Sequence, residues 1–220
     1  MVKQLRGSKK TKIAVLFSGG KDSSLIALML ANFFDVELVT VTFGLLQNWK
    51  RAEKIAKMLK FPFKALKIDK KILEEAAKIT VKDGYPNNGI KYIHQKALEE
   101  TAKFSEMIAD GVRRNDRVPV LTLRETISFE DRFKVHYVQP LLGISRKTVN
   151  ILVNRFFEIK EYKNTVFVGA EYEFELREMI KKKYGAKKIS KIFPKNHTHT
   201  IVTGIKRFVP IAQRQSEARC

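Results

Sequence analysis

The chain has 220 residues, 44% of them hydrophobic and 30% charged, which is enough for one sizeable core with a small appendage but not for two full enzymatic domains. Its single cysteine, Cys220, excludes a disulfide framework, a zinc ribbon or an iron–sulfur site built within one chain, and the cytoplasm is the expected compartment. The longest apolar stretch, Leu25 to Phe34, contains an asparagine and is far shorter than the ~20 residues that cross a bilayer, and no apolar leader precedes it, so no membrane partner is expected.

The formal charge of +20 is concentrated at the ends. Residues 1–12 carry five basic and no acidic side chains, and residues 181–220 carry eleven basic and one acidic. A lysine-rich thermophile surface would add glutamate alongside lysine, and glutamate is nearly missing here. Ends of this kind suit a polyanionic backbone, with tRNA or another RNA the first partner to consider.

After the basic start, Ile13 to Phe17 reads as a buried strand and Leu25 to Phe34 as a helix. Between them lies Ser18-Gly19-Gly20-Lys21-Asp22-Ser23-Ser24. Two glycines let the chain turn sharply and bring backbone N–H groups close to phosphate oxygens. The first amides of the following helix lack intrahelical acceptors, and the helix dipole there favours negative charge. Lys21 adds a cation, Asp22 is suited to a magnesium ion bridging phosphates, and Ser18, Ser23 and Ser24 offer hydroxyls. The Walker spacing is absent.

This segment resembles the signature of the PP-loop ATP pyrophosphatases, the adenine nucleotide alpha hydrolase-like proteins with a Rossmann-like sheet. The resemblance implies ATP as ligand, cleavage between its α and β phosphates, and an adenylylated acceptor.

Val36 to Phe43 reads as a second strand ending at Gly44, and backbone atoms of Thr42 and Phe43 are placed to contact an adenine. Trp49 to Leu59 shows helical periodicity, Phe63 to Ile68 a third strand, and Ile72 to Val81 a helix. Asp83 to Gly89 reads as a loop and Ile90 to Phe104 as a long helix. The alternation predicts βαβ units, hence an α/β fold with a Rossmann-like parallel sheet covered by helices on both faces. Pro86-Asn87-Asn88-Gly89 is similar to an acceptor-side loop of related deazapurine-nitrile synthases, although turn chemistry selects the same residues. His94 reads as a packed helix residue.

Met107 to Ala109 is a short fourth strand, followed by Asp110-Gly111-Val112-Arg113-Arg114-Asn115-Asp116-Arg117. Ligands in open α/β sheets gather beyond the carboxyl ends of strands, where arginines grip phosphate and an aspartate holds magnesium. Asp110 and Gly111 are therefore nucleotide-binding candidates, and Arg113, Arg114 and Asp116 join Lys21 and Asp22 as catalytic candidates. In PP-loop RNA-modifying enzymes this strand is followed by a stretch ending in paired acids. The resemblance carries over Asp116 as a metal ligand, while Asn115 stands at the other acid's place. The same run, and Phe129-Glu130-Asp131-Arg132 beyond it, is similar to archaeal asparagine-synthetase-like alpha hydrolases.

Val135 to Val138 reads as a fifth strand, and Ser145 caps a helix running to Phe157. Arg146 and Lys147, after Pro140-Leu141-Leu142, are similar to a basic helix start of PP-loop families, which implies an approach to phosphates from the opposite side, although a simple turn and helix cap explains the same residues equally well. From Glu161 the pattern changes: a strand at Thr165 to Val168, a helix from Glu171 to Lys183, a basic linker and a last strand at His197 to Ile205. The division expected is residues 1–160 as an ATP-binding domain and 161–220 as a small basic appendage. His197 and His199 fall on one face of the last strand, a workable metal geometry without cysteines to accompany it.

Three functions remain open. One is adenylylation of an acceptor oxygen, with tRNA bases favoured by the basic ends, followed by amino or thio substitution. Another is an ammonia-dependent amide ligase acting on a small carboxylate. The third is an adenine-nucleotide-binding protein without turnover. The sequence leaves room for a homo-oligomer.

Overall fold

The computed structural model describes residues 10–116, 120–163, 169–193 and 198–206. Strands β1 (Lys12–Leu16), β2 (Asp35–Thr42), β3 (Phe63–Lys67), β4 (Met107–Ala109) and β5 (His136–Val138) form one sheet in the order β3-β2-β1-β4-β5. Every neighbouring pair is parallel. Parallel neighbours need crossovers, and helices supply them: α1 (Lys21–Leu30), α2 (Trp49–Leu59), the pair α3 (Lys70–Asp83) and α4 (Asn87–Ala102), and α5 (Leu123–Phe133). This is the α/β, Rossmann-like class expected from the alternating pattern.

The two-residue period of a strand sends alternate side chains to opposite faces. Ile13 and Val15 of β1 enter a core shared with Leu25, Ile55 and, from α6 (Arg146–Phe156), Val149 and Val153. Leu16 enters a second core, on the other face, with Val41, Leu73, Leu98 and Ile108. Burying one such aliphatic side chain contributes about 1.5–3 kcal/mol, so two filled cores hold the sheet between its helical layers.

Helix starts follow local chemistry. The Asp69 side chain accepts from the Lys71 N–H at 2.9 Å, and Ser145 accepts from Thr148 N–H at 3.3 Å, as its capping role predicts. Helix α5 has no counterpart among the elements read from the sequence, yet Thr122 and Glu125 form a full capping box at its start.

The C-terminal part differs from expectation in two elements. Strand β6 (Phe157–Lys163) continues directly from α6 and pairs antiparallel with β7 (Thr198–Ile205), with a bulge at Glu158/Ile159. The segment expected as a basic linker is instead helix α8 (Ala186–Ile192), following α7 (Tyr172–Tyr184). The expected strand at Thr165 to Val168 lies outside the described residues. Leu176, Met179 and Ile180 of α7 pack into the second core, whereas Ile201 and Val202 of β7 pack into the first. Among the described residues, no helix is long and apolar enough to cross a membrane.

Candidate functional site

The chain reverses its direction of sheet growth between β1 and β4, and the crevice at such a switch point is where open α/β sheets place ligands. A cleft of about 440 Å³ opens there, reaching from Ser18 and Lys21 to His94 and Tyr172. That volume is in the range of sites that enclose a small ligand.

One wall is the Ser18–Ser24 loop and the first turn of α1. Gly19 sits at φ +77, and a Cβ there would come within 2.8 Å of Ile55 Cδ1. Only glycine meets both constraints without strain. Ser23 and Ser24 direct their hydroxyls to the Gly20 carbonyl at 3.2 and 2.9 Å, and Gly20 N–H donates to Ser18 Oγ at 3.3 Å. The serines therefore stiffen the turn rather than present hydroxyls to the cleft. With Gly20 N–H on Ser18 and Ser24 N–H on the Gly20 carbonyl, the first-turn amides of α1 and the Lys21 side chain are the groups left to meet an anion, aided by the positive end of α1.

The segment after β4 closes on this loop. A Cβ at Gly111 would lie 2.9 Å from Ser23 N, so the two backbones touch across the switch point. Arg113 reaches into the cleft between two carboxylates: Nε lies 3.6 Å from Asp22 Oδ2, while Nη2 meets Asp116 Oδ1 at 2.5 Å. Asp22 also pairs with Lys21 at 3.0 Å. Burial alone would lower the Arg113 pKa, but Asp116's hydrogen bond and the charges of Asp22 and Asp116 outweigh it and raise the value. Nη1 of Arg113 is buried with no partner among the described residues, a donor ready for an acceptor that enters the cleft.

The opposite wall comes from the C-terminal elements. Ala170 N–H donates to the Ser18 carbonyl at 3.0 Å, Gly20 bridges to Ile201, and Val202 N–H donates to the Gly19 carbonyl at 3.4 Å. Glu171, Tyr172, Glu173 and His199 line this side. His199 Nδ1 stands 2.5 Å from Glu171 Oε2, and Glu173 is held by Arg177. Burial lowers the His199 pKa, yet the Glu171 hydrogen bond and charge prevail and lift it above its ordinary value.

The candidates from sequence divide clearly. Ser18, Gly20, Lys21, Asp22, Ser23, Asp110, Gly111, Arg113 and Asp116 all border the cleft, and Arg146 joins them. Gly19 and Ser24 are buried behind the loop. Arg114 is exposed and does not line the cleft, and Lys147 is likewise exposed. Arg117 and His197 lie outside the described residues. Among the described residues, no group of three or more His, Cys, Asp or Glu side chains is placed to hold a metal.

Thr42 and Phe43 are not at the cleft surface, contrary to the expected adenine contact. The carboxylate of Glu175, itself buried, accepts from Thr42 Oγ1 at 3.2 Å and from the N–H groups of Phe43, Leu45 and Leu46 at 3.0, 2.9 and 3.3 Å. Those amides are consumed within the protein. Asp110 is also less free than its position suggested. It accepts from Val112 N–H at 3.0 Å, from the Tyr137 hydroxyl, and pairs with His94 Nε2 at 2.8 Å. Asn88 bonds to Asp83 at 2.7 Å and sits in the exposed first turn of α4, in keeping with its turn-chemistry reading.

Sequence reading missed Glu171, Tyr172 and Glu175, because nothing near them in the chain signals a partner, and Glu173, whose one local signal is the i,i+4 pair with Arg177. Their contacts join residues up to 133 positions apart.

Comparison with known proteins bears on the whole fold. Over 200 residues the chain is 39% identical to an uncharacterized protein of Methanocaldococcus jannaschii, covering 90% of this chain and 98% of the relative. It also matches a solved structure described as a predicted subunit of tRNA methyltransferase from the same organism. That match has a TM-score of 0.84 and 38% identity, spanning 90% of this chain and all of that one. The model of DUF7411, a family of unknown function, matches residues 11–204, and the chain belongs to that family.

Proposed function

We propose that this protein binds ATP in the switch-point cleft and cleaves it between the α and β phosphates, adenylylating an acceptor oxygen on tRNA. The observation that carries the reading is the Ser18–Ser24 loop: a glycine turn at the end of β1, opening a helix, with Lys21 and Arg113 converging on its mouth. Backbone amides and the helix dipole favour the charge of a pyrophosphate group at this point, and the two cations add to it. The resemblance to PP-loop ATP pyrophosphatases rests on the same residues.

Lys21 and the loop amides would neutralise charge growing on departing pyrophosphate, while the cleft walls hold the acceptor in line with the α-phosphorus. Arg113, with its buried Nη1 lacking a partner, would close on a phosphate oxygen and loosen its hold on Asp116. A magnesium ion suits this donor set only in the way it usually accompanies nucleotides, through phosphate oxygens and water with one or two carboxylates. Asp22 would be that carboxylate, giving up its 3.0 Å contact with Lys21, while Asp116 is held by Arg113. When bound, such an ion would offset charge on the phosphates.

The tRNA acceptor is supported by the positive ends of the chain and by the solved relative described as a predicted subunit of tRNA methyltransferase. Substitution of the adenylate by an amine or sulfur donor would complete the reaction. The test is direct. Wild-type protein with ATP, magnesium and bulk tRNA should release pyrophosphate and AMP, and Lys21→Ala should abolish the release. ATP binding without any release, with or without tRNA, would leave a nucleotide-binding subunit as the correct reading. Release driven by ammonia and a small carboxylate, with no RNA present, would favour the amide ligase. Binding of tRNA that does not weaken with salt would count against contact through the basic ends.

A further inference from the structure

The phosphate loop accounts for one end of the cleft and leaves unused a buried polar network at the other. His94 of α4 and Asp110 at the end of β4 are each 3% exposed, yet both border the cleft. Asp110 Oδ2 takes His94 Nε2 at 2.8 Å and the Tyr137 hydroxyl, which Gln139 supports from behind at 3.0 Å. Burial and then the nearby Asp110 charge raise the Tyr137 pKa, so its hydroxyl stays protonated and donates to Asp110. Tyr172 stays protonated for the same two reasons.

This arrangement fixes the imidazole. Nε2 carries the proton given to Asp110, which leaves Nδ1 as the lone-pair nitrogen. The buried side-chain polar atoms without a partner among the described residues are Thr80 Oγ1 and Arg113 Nη1. Nδ1 of His94 bonds to no described residue, and the His94 side chain borders the cleft. A carboxylate on one imidazole nitrogen sets the tautomer and stabilises the imidazolium formed when the other nitrogen takes a proton.

We propose that His94, oriented by Asp110, is the general base that deprotonates the group attacking the α-phosphorus. The inference rests on the ATP chemistry proposed above. The acceptor base's ring N–H gives its proton to Nδ1 as the adjoining carbonyl oxygen bonds to the α-phosphorus. The α–β bridging P–O bond breaks, its electron pair leaves with pyrophosphate, and the imidazolium later returns the proton to solvent. His94 touches the reacting group, and Asp110 is a positioning residue.

The groups facing His94 are Asp110 from β4, Tyr137 from β5 and Tyr172 from α7, with Glu173 on the same cleft wall. From α5, Glu125 is directed at Lys91 of α4, and α3 meets α4 through Ala76 and Thr80 at Gly89.

The experiment measures pyrophosphate release by the full chain, with ATP alone and with ATP plus bulk tRNA, across pH. Wild-type release should rise with pH on its acid limb. His94→Gln should slow it by about 10²–10⁴-fold and flatten that limb, while ATP affinity changes less than about threefold. Asp110→Asn should slow release and alter the acid limb, because the imidazole loses its fixed tautomer. A structural role alone would lower thermal stability in both variants and leave the pH profile unchanged, which overturns the proposal. Acylation of the wild-type histidines by diethyl pyrocarbonate guards against variants that fail to fold. His94 should react and be protected by a non-hydrolysable ATP analogue, and failure of either overturns the assignment. Wild-type turnover with His94→Gln unimpaired defeats the base alone. No wild-type turnover under either condition defeats the adenylylation reading and this inference with it.

Discussion

The two walls of the cleft are built in opposite ways. The Ser18–Ser24 wall is contiguous in sequence and works through backbone, with its serine hydroxyls turned inward onto the Gly20 carbonyl. The facing wall is assembled from side chains far apart in the chain, such as Glu171 and His199, and is braced from behind by the buried carboxylate of Glu175. The first kind of wall should be damaged most by adding atoms where backbones touch. The second should be damaged most by removing one member of a buried set, because its partners then lose their acceptor without regaining water.

The largest effect expected is Glu175→Ala. It would strand the N–H groups of Phe43, Leu45 and Leu46 together with the Thr42 hydroxyl, all turned toward a buried carboxylate. A buried donor left without an acceptor costs about 1–3 kcal/mol, so a loss of about 3–5 kcal/mol is expected in urea unfolding. Glu175→Gln keeps one acceptor oxygen and should lose about half as much. Near-equal stabilities of wild type and Glu175→Ala would show that this wall is not held by its buried carboxylate.

Where the segment after β4 presses on the contiguous wall, the matching substitution adds a methyl group. Gly111→Ala would set a Cβ 2.9 Å from Ser23 N and 3.0 Å from the Asp22 carbonyl carbon, both backbone atoms that cannot rotate away. Overpacking of this kind costs about 1–3 kcal/mol. It should also weaken pyrophosphate binding, measured by calorimetry, because the loop must shift. Lys21→Ala removes a cation without disturbing the turn. Pyrophosphate affinity should fall about tenfold, about 1.4 kcal/mol, with little change in unfolding. If Lys21→Ala destabilised the fold more than Gly111→Ala, the contrast between backbone wall and side-chain wall would be wrong.

The same contrast explains what was legible in the sequence. Helix α2 and strand β4 appear where periodicity puts them, because their patterns are local. The glycine loop could be placed for the same reason: its chemistry and its flanks are contiguous. Helix α5 has a local signal in its Thr122-to-Glu125 capping box, and β6 has one in alternating Phe157 and Ile159. Glu175 carried no signal, since its acceptor role exists only once α7 lies over the end of β2. That folding also removes Thr42 and Phe43 from the adenine contact expected of them. His94 is buried in α4 as its helical setting predicts, but the fold alone brings it Asp110 from the end of β4 and Tyr137 from β5.

The smallest effect tests the assembled wall at its most exposed joint. His199 has its pKa lifted above the ordinary 6.5 because Glu171's bond and charge outweigh burial, with Glu173 adding to the lift and Arg177 opposing it. A group that holds its proton more tightly when folded stabilises the fold while the unfolded chain is also protonated, and loses that contribution as pH rises through the folded value. Stability should therefore be fullest below about pH 6.5 and decline as pH rises through the lifted value. Both His199→Gln and Glu171→Gln should flatten this decline, since either removes the charged pair. Because Ala170 and β7 carry backbone bonds to Ser18, Gly19 and Gly20, loosening the joint should also reach the opposite wall. Pyrophosphate affinity in wild type should then fall with the same pH midpoint as stability. A decline that persists unchanged in both variants would place the titrating group elsewhere, and an affinity that ignores it would show that the two walls respond independently.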